Sequence, residues 1–250
     1  GLGDVYKRQI QDIWPKHLDN QYKNLEPGNE DTVFYFQGSS LLARPSGHFN
    51  LQNSEENVLI YPQYDEFVQG IKSSYGDKAV DNFEFIYLLS IDEEHFFLAR
   101  KTGSLERGTF LGEMADSAVH KDMYSFVRGY EFIGVDSFRK AQPREHAYAA
   151  ITAFHLYGWY RDNHFCGRCG KPLKHDDKQR MLRCDCCKNM VFPKICPAVI
   201  VAVTDKDRIL LTKYAGRTYR NYALIAGFTE IGETTAVSYT HLTLPTKLEV

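Results

Sequence analysis

Apolar positions crowd residues 32–37 (TVFYFQ), and a shorter apolar run at 41–43 follows Gly38-Ser39-Ser40. Two strand-forming runs split by a short Gly/Ser step predict a β-hairpin. A second pair of runs, 85–90 and 96–100, flanks an acidic stretch at 91–95 and predicts another. Residues 66–72 suit a short helix. Strands therefore predominate from 10 to about 143, and no chemical motif rises out of them. A β-rich scaffold or dimerisation domain is the expectation there. Pro143 then opens a helix, a position proline tolerates because the first-turn N–H has no partner anyway. Ala147, Ile151, Phe154 and Tyr157 recur at helical spacing and are expected to form its buried face. The helix should end near Asn163. Further on, 198–203 (AVIVAV) reads as a strand, 205–207 as a turn, and 208–212 (RILLT) as the strand that pairs back. A third strand is expected at 222–226, with Gly227 directly after it. The whole is α+β.

The composition changes little in this picture. With 250 residues, 43% hydrophobic and 25% charged, the chain can bury a real core. A formal net charge of −2 carries no basic surplus for nucleic acid and no acidic surplus for a solvating tail. No apolar run approaches the ~18 residues of a membrane span, and the first residues lack the order of a signal peptide. The expected location is the cytoplasm. Residues 1–9 (GLGDVYKRQ) and 236–250 (AVSYTHLTLPTKLEV) resemble translated sequencing adaptors, and are read as a non-native leader and tail.

Cysteine spacing adds chemistry. In a reducing compartment six cysteines are not expected to form disulfides. Four of them read Cys166-x2-Cys169-x14-Cys184-x2-Cys187. Each C-x2-C turn aims two sulfurs at one point, and two turns supply the tetrahedral thiolate set that zinc prefers. Four thiolates leave no open position, so the zinc is expected to be structural. Cys186 against Cys187 as the fourth ligand stays open. His164 and His175 are expected to be surface residues, and Cys196 a small buried one. Arg168, Lys171, Lys174, Lys178, Arg180, Arg183 and Lys188 surround the cysteines. They leave a nucleic-acid-binding module as the alternative, with a dimerising domain plus ribbon as another.

Beyond the ribbon the chain reads A-G-F-T-E-I-G-E, and Gly227-x5-Glu233 matches the opening of the Nudix box, G-x5-E-x7-R-E-U-x-E-E-x-G-U, with U aliphatic. Together with WYRDNHFCGRCG, the second cysteine pair and VFPKICPAVIVAV, this makes residues 159–234 resemble the NADH pyrophosphatase (NAD⁺ diphosphatase) branch of the Nudix hydrolases. IQDIWPKHLDNQY extends the resemblance back to Ile10. The resemblance implies cleavage of the pyrophosphate of NADH or NAD⁺ to a nicotinamide mononucleotide and AMP, with Mg²⁺ or Mn²⁺. Related enzymes remove NAD caps from RNA. It also implies a homodimer in the full-length family. By position, the Ala226 carbonyl would help hold the catalytic metal. Phe192 would contact substrate, or else pack as a core aromatic beside the ribbon; Arg139 and Gln179 would contact substrate, and Glu233 would fix its loop. The expected boundaries are 10–143 for the β-rich domain, 144–163 for the helix, and 164–195 for the zinc ribbon. Residues 196–235 would be the first strands of an incomplete Nudix α/β/α sandwich. After Glu233 the family pattern stops: residues 241–246 (HLTLPT) carry neither the arginine nor a metal-binding glutamate, and Pro245 opposes a helix. The chain as it stands is therefore expected to be inactive.

Overall fold

The structure, a computed structural model, describes residues 10–46, 58–102, 126–213, 215–216 and 221–243, with the backbone alone at 139 and 140. The chain divides into two compact units, Gly1–Pro193 and Lys194–Val250.

The first unit is built on a seven-stranded sheet. Its strands are β1 (Leu18–Asp19), β2 (Thr32–Gln37), β3 (Ser40–Ser46), β4 (Val58–Ile60), β5 (Phe83–Ile91), β6 (Glu94–Lys101) and β7 (Glu131–Gly134). The order is β1-β5-β6-β2-β3-β4, with β7 also on β3. All pairs are antiparallel except β2 with β6, which runs parallel from Thr32↔Phe96 to Tyr35↔Ala99. Both expected hairpins are present. Gly38 turns the first at φ 55°, and Asp92 turns the second at φ 52°.

The unbroken apolar run in β2 has a direct cause. Side chains alternate across a strand, so an apolar residue at every position means both faces are covered. Phe34 and Phe36 face one core, with Leu88, Phe96 and the helix α2 (Arg144–Asp162). Val33 and Tyr35 face the other, with Phe67 and Ile71 of the helix α1 (Tyr64–Tyr75). One helix thus covers each face of the sheet.

On α2 the buried face differs from the expected one. Ala147, Ala149, Ala150 and Ala153 are buried with Trp159 and Tyr160. Ile151, Phe154 and Tyr157 are only partly buried at the margin of the same core. The large rings of β2 and β6 already fill the space under the helix, so alanines make the closest approach. Phe154 and Tyr157 flank them and reach Phe36 with ring centroids 5.6 and 5.1 Å away.

The same unit carries a small three-stranded antiparallel ribbon, order β10-β9-β8, from β8 (Leu173–His175), β9 (Leu182–Cys184) and β10 (Met190–Val191). Leu182 belongs to the core under α2, and Leu173 and Val191 pack against it. The ribbon and α2 therefore share one hydrophobic core with the β-rich sheet.

In the second unit β11 (Ala198–Val201) pairs antiparallel with β14 (Ile225–Phe228), and β12 (Thr204–Asp205) pairs with β13 (Arg208–Ile209). The expected hairpin is thus shorter than its apolar runs, turning at Lys206 with φ 57°. The third strand lies later than expected, because Ala223 instead exchanges hydrogen bonds with Thr212 at 2.8 and 2.9 Å. Gly227 accordingly sits inside β14, opposite Val199. A Cβ there would meet the Leu242 side chain at 2.9 Å, so glycine lets the helix α3 (Thr235–Thr243) lie on the sheet. α3 occupies most of the stretch expected to break the pattern. Pro245, expected to oppose a helix, lies outside the described residues. Residues 1–9 and 244–250 lie outside the described residues. Among the described residues no helix is long and apolar enough to cross a membrane.

Candidate metal centre

Two knuckles with the same hydrogen-bond pattern place the cysteines. In the first, the Cys166 N–H donates to Lys171 O and the Gly170 N–H donates to Cys166 O, both at 2.8 Å. In the second, the Cys184 N–H donates to Asn189 O and the Lys188 N–H donates to Cys184 O, both at 2.9 Å. The fourth residue after each leading cysteine is left-handed, Gly170 at φ 69° and Lys188 at φ 58°. β9 carries Cys184 opposite Leu173, which brings the second knuckle over the first.

The result is one cluster: the Sγ atoms of Cys166, Cys169, Cys184 and Cys187 all lie within 4.8 Å of one another. Cys166 and Cys187 are 3.5 Å apart, and Cys169 and Cys184 are 3.4 Å apart. A disulfide needs about 2.05 Å. Four sulfurs on a tetrahedral zinc at about 2.3 Å stand about 3.8 Å from each other. The spacing suits a shared metal and not a crosslink. Cys186 is exposed and outside the cluster, so the geometry favours Cys187.

The thiols are already pulled apart in acidity. Burial pushes the Cys166 thiol up, but the N–H groups of Arg168 and Cys169 outweigh it and bring it down to about 6. The Lys171 N–H pulls Cys169 down, but its hydrogen bonds with the Cys184, Cys187 and Cys166 sulfurs and burial together outweigh that and push it up to about 12. Four like charges at this spacing repel one another, and a divalent cation removes that conflict. With all four sulfurs as ligands, no position stays open for chemistry.

The surroundings correct several expectations. Cys196 is exposed, because the chain ahead of β11 forms no strand that could cover it. His175 is half-buried: its Nε2 lies 2.6 Å from Tyr160 Oη and its Nδ1 lies 3.3 Å from Tyr22 Oη. His164 is half-buried too, and burial lowers its pKa, with the Arg100 charge adding to the effect. Neither histidine joins the metal cluster. Three of the basic residues have acidic or carbonyl partners. Lys174 pairs with Asp185 at 2.7 Å, Arg183 lies 3.9 Å from Asp176, and Arg180 turns inward to donate to the Leu88 carbonyl.

Of the residues expected at a substrate and catalytic-metal site, Arg139, Gln179 and Phe192 lie in the first unit and Ala226 and Glu233 in the second. Phe192 follows β10 and is 50% exposed, so it is not a core aromatic. Gln179 is exposed, in a loop where its N–H and that of Lys178 donate to Asp176 Oδ1. Arg139 lies in a short 3-10 helix, Val135–Lys140, and its side chain is outside the description. Ala226 is in β14, opposite Ile200. Glu233 is fully engaged: it accepts from Ser238 Oγ at 2.6 Å and from the Glu230 N–H at 3.2 Å, with His241 Nδ1 at 2.7 Å. Those partners, Ser238 first, hold its carboxyl below the usual range. α3 itself (TAVSYTHLT) carries no carboxylate.

No family model matches the chain. Over 79 residues it is 36% identical to the NAD-capped RNA hydrolase NudC of Salmonella typhi. It is equally similar to the proteins of that name from Salmonella heidelberg (strain SL476) and Salmonella newport (strain SL254). The match covers 32% of this chain and 31% of each relative's length.

Proposed function

We propose that this chain carries the zinc ribbon and the opening strands of a Nudix hydrolase of the NADH pyrophosphatase branch. The carrying observation is the 36% identity to NAD-capped RNA hydrolases in a chain that also gathers four cysteine sulfurs within 4.8 Å. Cys166, Cys169, Cys184 and Cys187 would hold zinc, which would act as a crosslink between two knuckles too small to bury a core of their own. In the complete enzyme the substrate is NADH, NAD⁺ or NAD-capped RNA. The bond cleaved is the phosphoanhydride, and the products are a nicotinamide mononucleotide and AMP or the corresponding RNA end. Two copies pair, in the cytoplasm, where thiols stay reduced. Residues 196–235 are the start of the Nudix sandwich on this reading, following the ribbon at 164–195.

Phosphoanhydride hydrolysis calls for Mg²⁺ or Mn²⁺ held by carboxylates. The residues here do not fit that role. The cysteine cluster is the only metal-capable group among the described residues, α3 lacks carboxylates, and Glu233 is spent on Ser238 and His241. The chain by itself is accordingly inactive. The ion pairs of Lys174 and Arg183 with ribbon aspartates and the inward Arg180 weigh against the nucleic-acid module.

A chimera tests the reading. Residues 236–250 are replaced by the corresponding remainder of the Salmonella typhi protein. The chimera should hydrolyse NADH in the presence of Mg²⁺ or Mn²⁺, while the unaltered chain shows no turnover above a metal-free blank. A folded, zinc-loaded chimera that leaves NADH intact would refute the proposal.

A further inference from the structure

Besides the apolar contacts of Leu173, Leu182 and Val191, the ribbon is fastened to the sheet at His175. Tyr22 approaches it from the connection between β1 and β2, with ring centroids 5.1 Å apart. Tyr160 approaches from α2, and is buried beside Trp159 with ring centroids 4.5 Å apart. A neutral imidazole has one accepting and one donating nitrogen. The 2.6 Å contact suits the Tyr160 O–H donating to Nε2, which leaves the Nδ1–H to donate to Tyr22 Oη. Both ring nitrogens are then satisfied in the neutral form, and so is the Tyr160 O–H. A proton on Nε2 would make the Tyr160 oxygen the acceptor instead, turning the hydroxyl hydrogen of this fully buried residue away from its bond to the ring.

The charges around the ring oppose that proton as well. Arg180, from the ribbon loop, lies over the Tyr22 ring at 5.6 Å. It donates to the Leu88 carbonyl and, at 3.3 Å, to Asn20 O, while its Nη1 is buried without a hydrogen-bond partner. Arg100, from β6, lies over the Tyr160 ring at 5.2 Å. Against these stand Glu84 of β5, already bound to Arg100 at 2.5 Å, and Asp176 and Asp177 of the ribbon loop. His164, at the end of α2, feels the same Arg100 and Glu84.

We propose that Tyr22, His175 and Tyr160 form a proton-operated latch that holds the ribbon on the β-rich sheet and releases it when His175 is protonated. The proposal does not depend on the hydrolase reading, because every group it uses lies in the first unit. The direction follows from linkage. Burial, first, and the two arginines hold the His175 pKa below the ordinary 6.5. The neutral form therefore contributes stability above pH 6.5, and that contribution is lost as pH falls below 6.5 toward the lowered value.

The chain has two tryptophans, Trp14 and Trp159, of which Trp159 is buried beside the latch and Trp14 is 87% exposed. The test uses the full chain with Trp14→Phe, loaded with cadmium(II), whose thiolate charge-transfer band reports the four cysteines. Trp159 emission is followed from about pH 8 to about pH 5, the range in which histidine titrates. The emission should shift to the red with a midpoint below pH 6.5 while the cadmium band keeps its intensity. His175→Gln should abolish the shift. Tyr160→Phe removes the bond that favours the neutral ring, and should move the midpoint upward with the same cadmium loading. A shift that persists in His175→Gln, a wild-type chain with no shift, or loss of the cadmium band in step with the emission would each overturn the latch.

Discussion

Cys186 and Cys187 are adjacent, yet the knuckle geometry assigns them different fates. The Cys187 sulfur stands 3.5 Å from that of Cys166, inside the cluster, while Cys186 is exposed outside it. Structural zinc sites bind with an apparent free energy of about 10–16 kcal/mol near neutral pH. A quarter of that, the share of one thiolate in four, is about 2.5–4 kcal/mol. At about 1.4 kcal/mol per decade, Cys187→Ser should weaken zinc binding by roughly two to three decades. Cys186→Ser should leave it within about threefold, since an exposed residue outside the cluster carries no ligand role. Competition against a chromogenic chelator at fixed pH measures both. Equal losses for the two variants, or a larger loss for Cys186→Ser, would refute the knuckle assignment.

The left-handed residues make a paired test in zinc-loaded protein. Lys188→Gly should raise stability by up to about 1 kcal/mol, and Gly170→Ala should lower it by about 1–2 kcal/mol, because only backbone strain changes at these sites; thermal denaturation reads both. Gly70 is a different case. A Cβ there would stand 2.8 Å from Phe126 O and 3.0 Å from Val127 Cγ2, so Gly70→Ala should cost about 1–3 kcal/mol in chemical denaturation despite its better helix propensity. Glu233, whose folded pKa lies below the ordinary 4.5, stabilises its loop above that pH and loses this contribution as pH falls through the lowered value. Glu233→Gln should therefore flatten the acid limb of a pH–stability curve for the second unit, as followed by amide exchange in α3.

Much of the architecture was legible in the chain, for identifiable reasons. Gly38-Ser39 and the acidic turn near Asp92 mark positions where the backbone needs a left-handed residue, and both hairpins turn there. The C-x2-C spacing encodes each knuckle in a few residues, and the pairing of β8 with β9 brings the two together. The buried face of α2 is hard to see in the sequence because alanine carries little hydrophobic signal. It is chosen there by the bulk of Phe34, Phe36 and Phe96 beneath the helix, a property of the partner and not of the helix. Gly227 could not be placed in β14 from local pattern, since its reason is the approach of Leu242. The histidine and the arginine on the ribbon are hidden from the sequence for the same cause. His175 and Arg180 look like solvated polar residues until Tyr22, Tyr160 and the Leu88 carbonyl are brought to them from far along the chain. Counting basic residues near the cysteines likewise ignored that Asp185 and Asp176 would sit among them.

X-ray absorption at the zinc edge of the purified chain tests the central claim most directly. The account predicts one zinc per chain with four sulfur neighbours at about 2.3 Å and no nitrogen or oxygen in the coordination sphere. A chain that carries no metal when purified under reducing conditions, or a zinc with histidine nitrogen among its ligands, would contradict it.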